Sequence, residues 1–462
     1  VLMLATVAGL RLAGLRWPWP QVWLLVCAVV VAADPWALLQ AGFWLSFVAV
    51  GVLFATDNAS VSSSGWRGRL LALWHEQWVI TLALTPLSLV LFGQVSVVAL
   101  LANALAIPWV TLLVTPLAML GVLLPVCWDA VAAALMLMVH GLETLAHWPL
   151  AVLSLPQAPG WSAAVGVLGG VLLAMRLPLT LRLLGLPLLL PVLCWPVALP
   201  APGQFELLAA DIGQGSAVLV RTARHALLFD AGPRLGIDND AGQRVLVPLL
   251  RALDVQLDLL LLSHRDNDHA GGGATLLRTQ PHAVLLTSIQ EDASLQALRE
   301  PQRCLAGQRW QWDGVDFEVL HPLAQDYASA HKPNAMSCVL RIGNGHRRAL
   351  LVGDIEAAQE KQLLQRLDAA ELRSDWLLVP HHGSKSSSSA AFLDAVQPRF
   401  AVVQAGYRNR YGHPNGTVLV RYAERSSTVI DTPHCGAATW QSWQPDALHC
   451  QRQDDARYWR HF

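Results

Sequence analysis

The first 200 residues of this 462-residue chain contain no lysine and very little charge. Six arginines and five acidic residues are spread over that stretch, which leaves 26 basic and 28 acidic residues for residues 201–462. With 54% hydrophobic residues and a mean hydropathy of +0.40, the chain is more apolar than soluble proteins usually are. The uneven charge predicts a membrane domain over residues 1–200 and a globular domain over residues 201–462.

The sequence also lacks the cysteine spacings of zinc ribbons and of dense disulfide frameworks. Its seven cysteines contain no Cys-x-x-Cys pair, and three of them lie in the apolar half. The other four either include a disulfide or are buried free thiols: Cys304, Cys338, Cys435 and Cys450. The N-terminus shows no basic region or cleavage site of a signal peptide, and it begins within an apolar stretch. We therefore expect the start of the protein to lie further upstream.

Apolar stretches recur through the first half at about the length of membrane-spanning helices, which is about 20 residues. They lie near residues 1–14, 20–33, 36–55, 74–92, 96–125, 128–148, 161–177 and 183–199. We predict a polytopic α-helical membrane domain of about seven to eight helices, the first of them incomplete. Residues 96–125 contain Pro108 and Pro116, so this stretch is either one kinked helix or a broken pair.

Arginines mark alternate loops of this domain if residues 96–125 cross the membrane once. Loops rich in arginine usually face the cytoplasm. The helix at residues 183–199 then carries the second half to the external or periplasmic side of a bacterial inner membrane. If residues 96–125 cross twice, the alternation slips and this prediction fails. The loop arginines are Arg11 and Arg16, Arg67 and Arg69, and Arg176 and Arg182.

In the globular half, a cluster of polar residues directly follows a strand-like apolar run. Residues 257–262 form that run, and residues 263–272 (Ser-His-Arg-Asp-Asn-Asp-His-Ala-Gly-Gly) follow it. The cluster supplies imidazole nitrogens and carboxylate oxygens, which suit Zn or Mn, and no thiolate. A solvated surface loop is the alternative, but the apolar strand and the glycines favour a metal site. Its candidate ligands are His264, Asp266, Asp268 and His269.

Two further strand ends carry side chains of the same kind. Residues 350–354 form an apolar strand ending in Gly-Asp, where Asp354 either bridges two cations or caps the following helix. Residues 376–380 form a strand that ends at two histidines. We assign His382 as a metal ligand and His381 as a neighbour that donates to an anionic oxygen. Ser384 and Lys385 next to them suit phosphate binding, unless they only form a solvated turn.

The run at residues 263–269 is similar to the His-x-His-x-Asp-His motif of the metallo-β-lactamase superfamily, with Asp266 in place of the second histidine. That variant resembles the ComEC family of DNA-uptake proteins in natural competence. The resemblance implies a transmembrane channel domain followed by an α/β metallo-β-lactamase domain, an αββα sandwich. It extends to Asp34-Pro35, residues 42–47 (Gly-Phe-Trp-Leu-Ser-Phe), Asn103 with Ile107-Pro108, residues 213–215 (Gly-Gln-Gly) and residues 409–414 (Asn-Arg-Tyr-Gly-His-Pro).

The same resemblance implies two divalent cations, Zn or Mn, in the second domain. Two such cations lower the pKa of a shared water and clamp the oxygens of an in-line displacement at phosphorus. We therefore expect phosphodiester hydrolysis. One cation is assigned to His264 and Asp266, the other to Asp268, His269 and His382, with Asp354 bridging. Catalysis is assigned to Asp268, His381 and His413, and substrate binding to Ser384, Lys385 and Arg410.

The sequence departs from the family pattern in two places. Many superfamily members supply another histidine ligand near residues 334–340, where this chain has none, and we expect water or Asn334 instead. Relatives are expected to carry an acidic residue where this chain has Ser216. Asp211 and Asp230 follow neighbouring strands, and they either orient ligating histidines or occupy turns beside glycine.

The resemblance implies an inner-membrane DNA channel that passes one strand while the metal domain degrades the other. Its expected partners are single-stranded DNA, incoming double-stranded DNA, membrane lipid and other DNA-uptake proteins, and a homo-oligomer is left open. The charge balance gives this no support, because 28 acidic residues exceed 26 basic ones in the globular half. Arg408, Arg410, Arg421 and Arg425 are candidates for a local basic patch. The alternatives are hydrolysis of another phosphoester or a lactone, or a channel with an inactive metal domain.

Overall fold

The computed structural model describes residues 2–56, 66–148, 151–156, 158–175, 177–236, 239–328, 332–454 and 456. The chain divides into two compact units: the first contains the chain up to Val197 together with Arg251–Asp254, and the second contains Ala198–Leu250 and the chain from Val255 onwards. The first unit is helical, and the second is built on two large β-sheets.

The helical unit contains two stretches that are long and apolar enough to cross a membrane, judged by length and composition: Ala99–Gly121 and Cys127–Ala146. Elsewhere in the described part, apolar helical stretches of 10–17 residues occur, such as Trp19–Ala33 and Gln77–Phe92. A short antiparallel hairpin pairs Gln94–Ser96 with Val152–Ser154. The helices are Leu2–Leu12, Trp19–Ala33, Ala41–Thr56, Trp66–Phe92, Ala99–Trp109, Thr115–Gly121, Cys127–Ala146, Gly160–Ala174, Leu179–Leu183 and Gly185–Leu193, with a 3-10 turn at Pro35–Leu39.

The stretch that contains Pro108 and Pro116 is one helix rather than a broken pair. Helical backbone runs through Ala99–Gly121, with a π-helical turn at Val110–Val114. Proline lacks an N–H, so each proline removes one i→i−4 bond, and a wider turn lets the helix continue. The amide of Thr115 accordingly donates to the carbonyl five residues earlier. The stretch is therefore one continuous helix, as the arginine pattern requires.

The second unit contains an eight-stranded and a seven-stranded sheet. The strand order of the first is Pro301–Arg303, Val284–Thr287, Leu259–Leu262, Ala226–Phe229, Val218–Arg221, Glu206–Ala209, Ala438–Gln441 and Leu448–Cys450. The order of the second is Arg309–Trp312, Val315–His321, Val339–Gly343, Arg348–Leu351, Trp376–Leu378, Phe400–Val403 and Thr428–Asp431. A separate small hairpin pairs Arg234–Gly236 with Asn239–Asp240.

Helices cover the outer faces of these sheets or connect their strands. The α-helices are Val247–Ala252, Asn267–Ala270, Gly273–Thr279, Ala293–Gln296, Ala357–Arg366, Ala369–Leu372, Ala390–Val396, Gly416–Ala423, Thr432–Cys435 and Gln451–Asp454. A π-helical turn forms at Gly242–Leu246, and tight 3-10 turns form at Ala324–Ala328, Pro333–Met336 and Pro380–Gly383.

Side chains that alternate along each strand define the layers. Leu261 and Trp376 belong to one buried cluster between the two sheets. Leu377, one residue further along, belongs to a second cluster with Phe392 of a covering helix. On the first sheet, helix Gly273–Thr279 packs close to the outward-facing Leu262. The second unit is therefore the αββα sandwich that the sequence predicted.

Two disulfides join the sheets at positions that the sequence left open. Cys304 pairs with Cys338, and Cys435 pairs with Cys450. In each pair, one cysteine belongs to or borders a strand of the eight-stranded sheet, and its partner lies next to the seven-stranded sheet. All four side chains are buried in the cluster between the sheets. The alternative of four free thiols is therefore excluded.

Candidate metal centre

The site residues follow the carboxyl ends of parallel strands. In the first sheet, Leu259–Leu262 runs parallel to Ala226–Phe229, and in the second, Trp376–Leu378 runs parallel to Arg348–Leu351. The carboxyl ends of parallel strands meet at one edge of a sheet, which is where α/β folds place their sites. The polar residues after residues 229, 262, 351 and 378 therefore come together in space.

Imidazole and carboxylate groups form two overlapping clusters at this edge. Ligand atoms of His264, His269 and Asp354 lie within 4.8 Å of one another, and so do those of Asp268, His269 and His382. Nε2 of His269 is 3.1 Å from Oδ1 of Asp354 and 3.2 Å from Nε2 of His382. Nε2 of His382 is 3.3 Å from Oδ2 of Asp268. Nitrogen and oxygen atoms at this spacing are the donor set of a divalent-metal site.

Hydrogen bonds determine which nitrogen of two histidines faces the centre. Nδ1 of His269 is 2.7 Å from Oδ2 of the buried Asp230. Nδ1 of His382 is 2.7 Å from the backbone carbonyl oxygen of Gln404. When Nδ1 donates to such an acceptor, Nε2 is the unprotonated nitrogen that can bind a cation. Both Nε2 atoms point into the clusters.

The two ring nitrogens of His264 differ in their hydrogen-bond partners, and this difference shows whether the ring is placed to bind a metal. Its Nδ1 lies 3.0 Å from Oγ of Ser263 and 3.3 Å from Oγ of Ser337. Its Nε2 is buried and has no hydrogen-bond partner among the described residues. A buried polar atom without a partner costs free energy unless another group binds it. The orphaned nitrogen therefore fits a metal ligand.

Asp266 lies at the edge of this arrangement. Its side chain is 42% exposed, and Oδ2 is 3.6 Å from Nε2 of His264. The structure groups His264 with His269 and Asp354, whereas the sequence paired it with Asp266. Asp266 is therefore a rim carboxylate beside the first cluster rather than a member of either close group.

The structure distinguishes the two sequence interpretations of Asp230 and Asp211, and it removes one of the two for Asp354. Asp230 orients a histidine, as described above. Asp211 accepts from the amide of Gly213 and forms an ion pair with Arg452, so it is a turn residue. Asp354 does not cap the next helix, because Glu356 occupies the N-cap position of Ala357–Arg366.

Ser216 supports the centre indirectly. Its hydroxyl donates to Oε1 of Gln404 at 3.1 Å, and Nε2 of Gln404 donates to the carbonyls of Ala210 and Ala217. The backbone carbonyl of Gln404 in turn accepts from His382. Sequence reasoning missed Gln404, although a polar amide at the end of strand Phe400–Val403 was a signal. Ser216 helps to fix the acceptor of His382, and it belongs to neither of the two clusters.

Without a bound cation, nearby carboxylates outweigh burial and raise the pKa of His269 and His382, so both rings are protonated and their charge keeps the two carboxylates ionised. A bound cation would take the place of the proton on each Nε2. Burial by itself would raise the pKa of Asp268, but the hydrogen bond to His382 and the charge of His269 hold that pKa well below its usual range. Burial would likewise raise the pKa of Asp354, and the charges of His269 and His382 hold it well below. Both residues therefore present anionic oxygens.

His381 and His413 line the open side of the centre. Nε2 of His381 is 3.7 Å from Oδ2 of Asp354 and 3.3 Å from Nδ2 of Asn334. Asn334 thus contacts His381 instead of His264. The rings of His381 and His413 are 5.9 Å apart. Burial lowers the pKa of both imidazoles, so both are neutral near pH 7 and can accept a proton.

The backbone at the paired histidines is strained. His381 and His382 have φ values of 50° and 54°, in the left-handed region that residues with a Cβ avoid. Such residues cost about 1–3 kcal/mol each and persist where the surroundings enforce them, often at functional sites. Here the amide of His381 donates to the carbonyl of Gly353, which ties the turn to the strand end before Asp354.

Two of the three residues assigned to substrate binding lie in the turn after His381 and His382, and the third lies in a groove. Ser384 belongs to the turn beside His381, with Oγ 3.2 Å from Oγ of Ser386. Lys385 is exposed in the same turn. Arg410 is exposed and lines a groove that also contains Asp268.

The four arginines do not form one patch. Arg408 and Arg410 lie on the exposed loop that follows strand Phe400–Val403. Arg421 instead donates to the backbone carbonyls of residues 387 and 388, and Arg425 forms an ion pair with Asp394. Of the four, Arg410 lines the groove that also contains Asp268.

Two family models match this chain. Residues 1–180 match the competence protein family, and residues 210–407 match the metallo-beta-lactamase superfamily. The second match agrees with the sandwich fold and with the divalent-metal donor set, both of which are features of metal-dependent hydrolases.

Similar proteins match across nearly the whole chain. Competence protein ComA of Neisseria gonorrhoeae is 34% identical over 93% of this chain and 60% of its own length. Uncharacterized protein YcaI of Escherichia coli is 30% identical over 97% of this chain and 60% of its own length. Recombination protein 2 of Haemophilus influenzae is 28% identical over 94% of this chain and 59% of its own length. The chain spans about three fifths of the length of these relatives. The chain therefore combines a competence domain with a metallo-β-lactamase domain, and it is similar to competence proteins over nearly all of its length.

Proposed function

We propose that this chain is part of a DNA-uptake channel of the bacterial inner membrane, and that its second unit is a nuclease. The nuclease degrades the strand that is not transported. The proposal rests on the histidine–carboxylate clusters of the second unit. They occur in a chain whose helical unit matches the competence family. DNA in both forms, membrane lipid and other uptake proteins are the proposed partners.

The donor set is sufficient for two divalent cations, and Zn or Mn suits it. His264, His269, His382, Asp268 and Asp354 would hold them, and bound cations would supply a Lewis acid for a phosphoryl oxygen. Asp268 and Asp354 contribute negative charge next to the cations. Because buried hydrogen bonds hold the three histidines, their nitrogens need no reorganisation when a substrate binds.

His381 is the residue best arranged to move a proton. Its Nδ1 lies 3.2 Å from Oγ of Ser386, which donates to Oε1 of Glu356. Glu356 and Ser386 therefore favour a proton on Nδ1 and leave Nε2 as the basic nitrogen on the side of Asp354. In that position Nε2 takes a proton from an attacking water or returns one to the departing oxygen.

Two observations support an external location for the second unit. Disulfides persist in oxidising compartments such as the periplasm, and this unit carries two of them. The single helix Ala99–Gly121 keeps the arginine loops in register, and the positive-inside rule then assigns the chain after residue 199 to the same side.

The test uses the full chain in detergent micelles, freed of metal and then supplied with Mn or Zn. We expect metal-dependent cleavage of single-stranded or double-stranded DNA by the wild type, and loss of most of it in Asp268→Ala. Asp316→Ala is the matched control, because Asp316 is an exposed carboxylate at the start of strand Val315–His321.

The nuclease assignment would be overturned if the folded, metal-loaded protein cleaved neither single-stranded nor double-stranded DNA, whichever metal was supplied. A panel of phosphoesters and lactones then decides whether another ester is the substrate. Full DNA transport by a protein that binds no metal would instead favour a channel with an inactive metal domain.

A further inference from the structure

Two tyrosines beside the metal centre are exposed although their loop is firmly held. Tyr407 is 67% exposed and Tyr411 is 53% exposed. The side chain of Asn409 donates to the carbonyls of Gly406 and His413 at 2.9 and 2.6 Å and accepts from the amide of His413 at 3.0 Å. The loop thus presents two large rings to solvent from a fixed backbone, an arrangement typical of binding loops.

Hydrogen bonds also link this loop to the metal centre. The amide of Gly406 donates to Oε1 of Gln214 at 3.0 Å. Gln214 lies in the turn that continues to Ser216, whose amide donates to the carbonyl of Asp268 at 3.0 Å. One hydrogen bond to the side chain of Gln214 and one between backbone groups therefore set the position of the tyrosine loop relative to Asp268.

Both tyrosines and Asp268 line one groove of about 900 Å³. Ile212 and the 58%-exposed Leu235 contribute apolar walls, and the exposed Arg244 adds a cation. A groove of this size accepts a small organic ligand. Its apolar and aromatic surface lies next to a carboxylate of the metal centre, so a ligand with both a flat apolar part and a phosphate fits it.

A series of stacked or edge-on rings leads from the centre into this groove. The ring of Tyr411 stacks on His413 at 5.8 Å with an interplanar angle of 15°, and His413 lies beside His381. The guanidinium of Arg410 lies 4.9 Å from the ring centre of Tyr411. Aromatic rings and guanidinium planes are the surfaces on which unpaired nucleobases stack.

Stacking also accounts for nucleic-acid binding by a unit with excess negative charge. The globular half has 28 acidic and 26 basic residues, so its net charge does not attract a phosphate backbone. Base stacking supplies affinity that does not depend on such a field. Arg408, whose guanidinium lies 5.2 Å from the ring centre of Tyr407, adds a local cation for one phosphate.

We propose that this groove is a nucleobase subsite for single-stranded DNA. A base of the strand stacks on Tyr411 or Tyr407 while its phosphate lies at the metal centre. The proposal rests on the phosphodiesterase function proposed above. A duplex keeps its bases stacked inside the helix, where the rings cannot reach them. Tyr407 and Tyr411 therefore select single strands over duplex.

The test compares variants of the full chain in detergent micelles. Tyr407→Leu and Tyr411→Leu remove the ring and keep an apolar side chain, whereas Tyr407→Phe and Tyr411→Phe keep the ring. The substrates are a single-stranded oligonucleotide, the same strand with abasic sites, its duplex, and glycerophosphoglycerol, a small diester without an aromatic ring.

Each leucine variant is expected to raise KM for the intact single strand on the order of tenfold. The ratio of kcat/KM for the single strand to that for the small diester falls by the same factor. The abasic strand is expected to be a poor substrate whose KM the leucine variants do not worsen further. Both phenylalanine variants keep the wild-type ratio, although Tyr411→Phe loses the hydrogen bond from Arg410.

An unchanged KM for the intact strand in the leucine variants would overturn the proposal. An equal loss on the small diester would also overturn it, because the rings would then only support the metal centre. If the wild type cleaves no phosphodiester, the proposed function fails and binding decides the subsite. Fluorescence anisotropy in EDTA then compares the affinities of the wild type for the intact and the abasic strand. A lower affinity for the abasic strand supports the subsite if this difference disappears in the leucine variants. Equal affinities of the wild type for the two strands reject the subsite.

Discussion

Ser263 links the two histidine clusters through one small side chain. Its hydroxyl donates to Oδ2 of Asp230 at 2.9 Å, and it lies 3.0 Å from Nδ1 of His264 and 3.5 Å from Nδ1 of His269. Its amide donates to the other oxygen of Asp230 at 2.7 Å. Hydrogen bonds of this kind fix the rotamer and tautomer of ligating histidines, and their loss weakens metal binding.

We expect Ser263→Ala to lower metal affinity by about 10- to 100-fold without unfolding the protein. The measurement is a competition titration with a metal indicator on the full chain, with thermal unfolding recorded in parallel. Ser427→Ala is the matched control, since Ser427 is equally a buried hydroxyl but donates to the carbonyl of Pro398 at the opposite ends of the strands. Equal metal affinities for the two variants would contradict the role given to Ser263.

At the scale of elements, the turn between strands Glu206–Ala209 and Val218–Arg221 positions the metal loop by backbone contact. Gly215 in this turn has a φ of 134°, which side-chain-bearing residues rarely adopt. A Cβ there would lie 2.3 Å from the carbonyl oxygen of Asp268. Only glycine therefore allows the turn to approach the metal loop this closely.

Gly215→Ala should force the turn and the metal loop apart. We expect it to lower the free energy of unfolding by about 1–3 kcal/mol, the usual cost of such backbone strain, and to reduce metal content. Gly416→Ala provides the comparison, because a Cβ at Gly416 meets nothing within 4 Å. Thermal unfolding of both variants checks this, and a stability of Gly215→Ala equal to that of Gly416→Ala would refute the argument.

At the scale of the whole molecule, the two disulfides bear on which side of the membrane the second unit lies. Each joins the two sheets of the second unit, and four of the seven cysteines take part. The remaining three, all in the helical unit, are free: Cys27, Cys127 and Cys194. Disulfides are rare in the reducing cytosol, so the oxidation state in the cell reports the side of the membrane.

Maleimide labelling of denatured protein from cells quenched with acid measures that oxidation state. On the oxidising side of the membrane, we expect three labels per chain before reduction and seven after it. Cys435→Ser, which leaves Cys450 without its partner, should give four before reduction and six after, because one cysteine is replaced and its partner is freed. Seven labels on the wild type before reduction would place the second unit in the cytosol.

The sequence alone determined the features that are local along the chain. The scarcity of charge in residues 1–200 separated a helical half from a globular half. Strand-like apolar runs ending in polar residues located His264, His269, Asp354 and His382, because parallel strands deliver their carboxyl ends to a common edge. The likeness to the competence family came from the same short motifs.

Only the tertiary structure decided how residues distant in the sequence combine. Ser216 and Gln404, 188 residues apart, meet because separate sheets bring the ends of their strands together. The choice of Asp230 over Asp211, the grouping of His264 with Asp354, and the pairing of the cysteines depend in the same way on sheet order and packing. Local patterns specify what each strand end carries, whereas contacts between strand ends depend on how the two sheets stack.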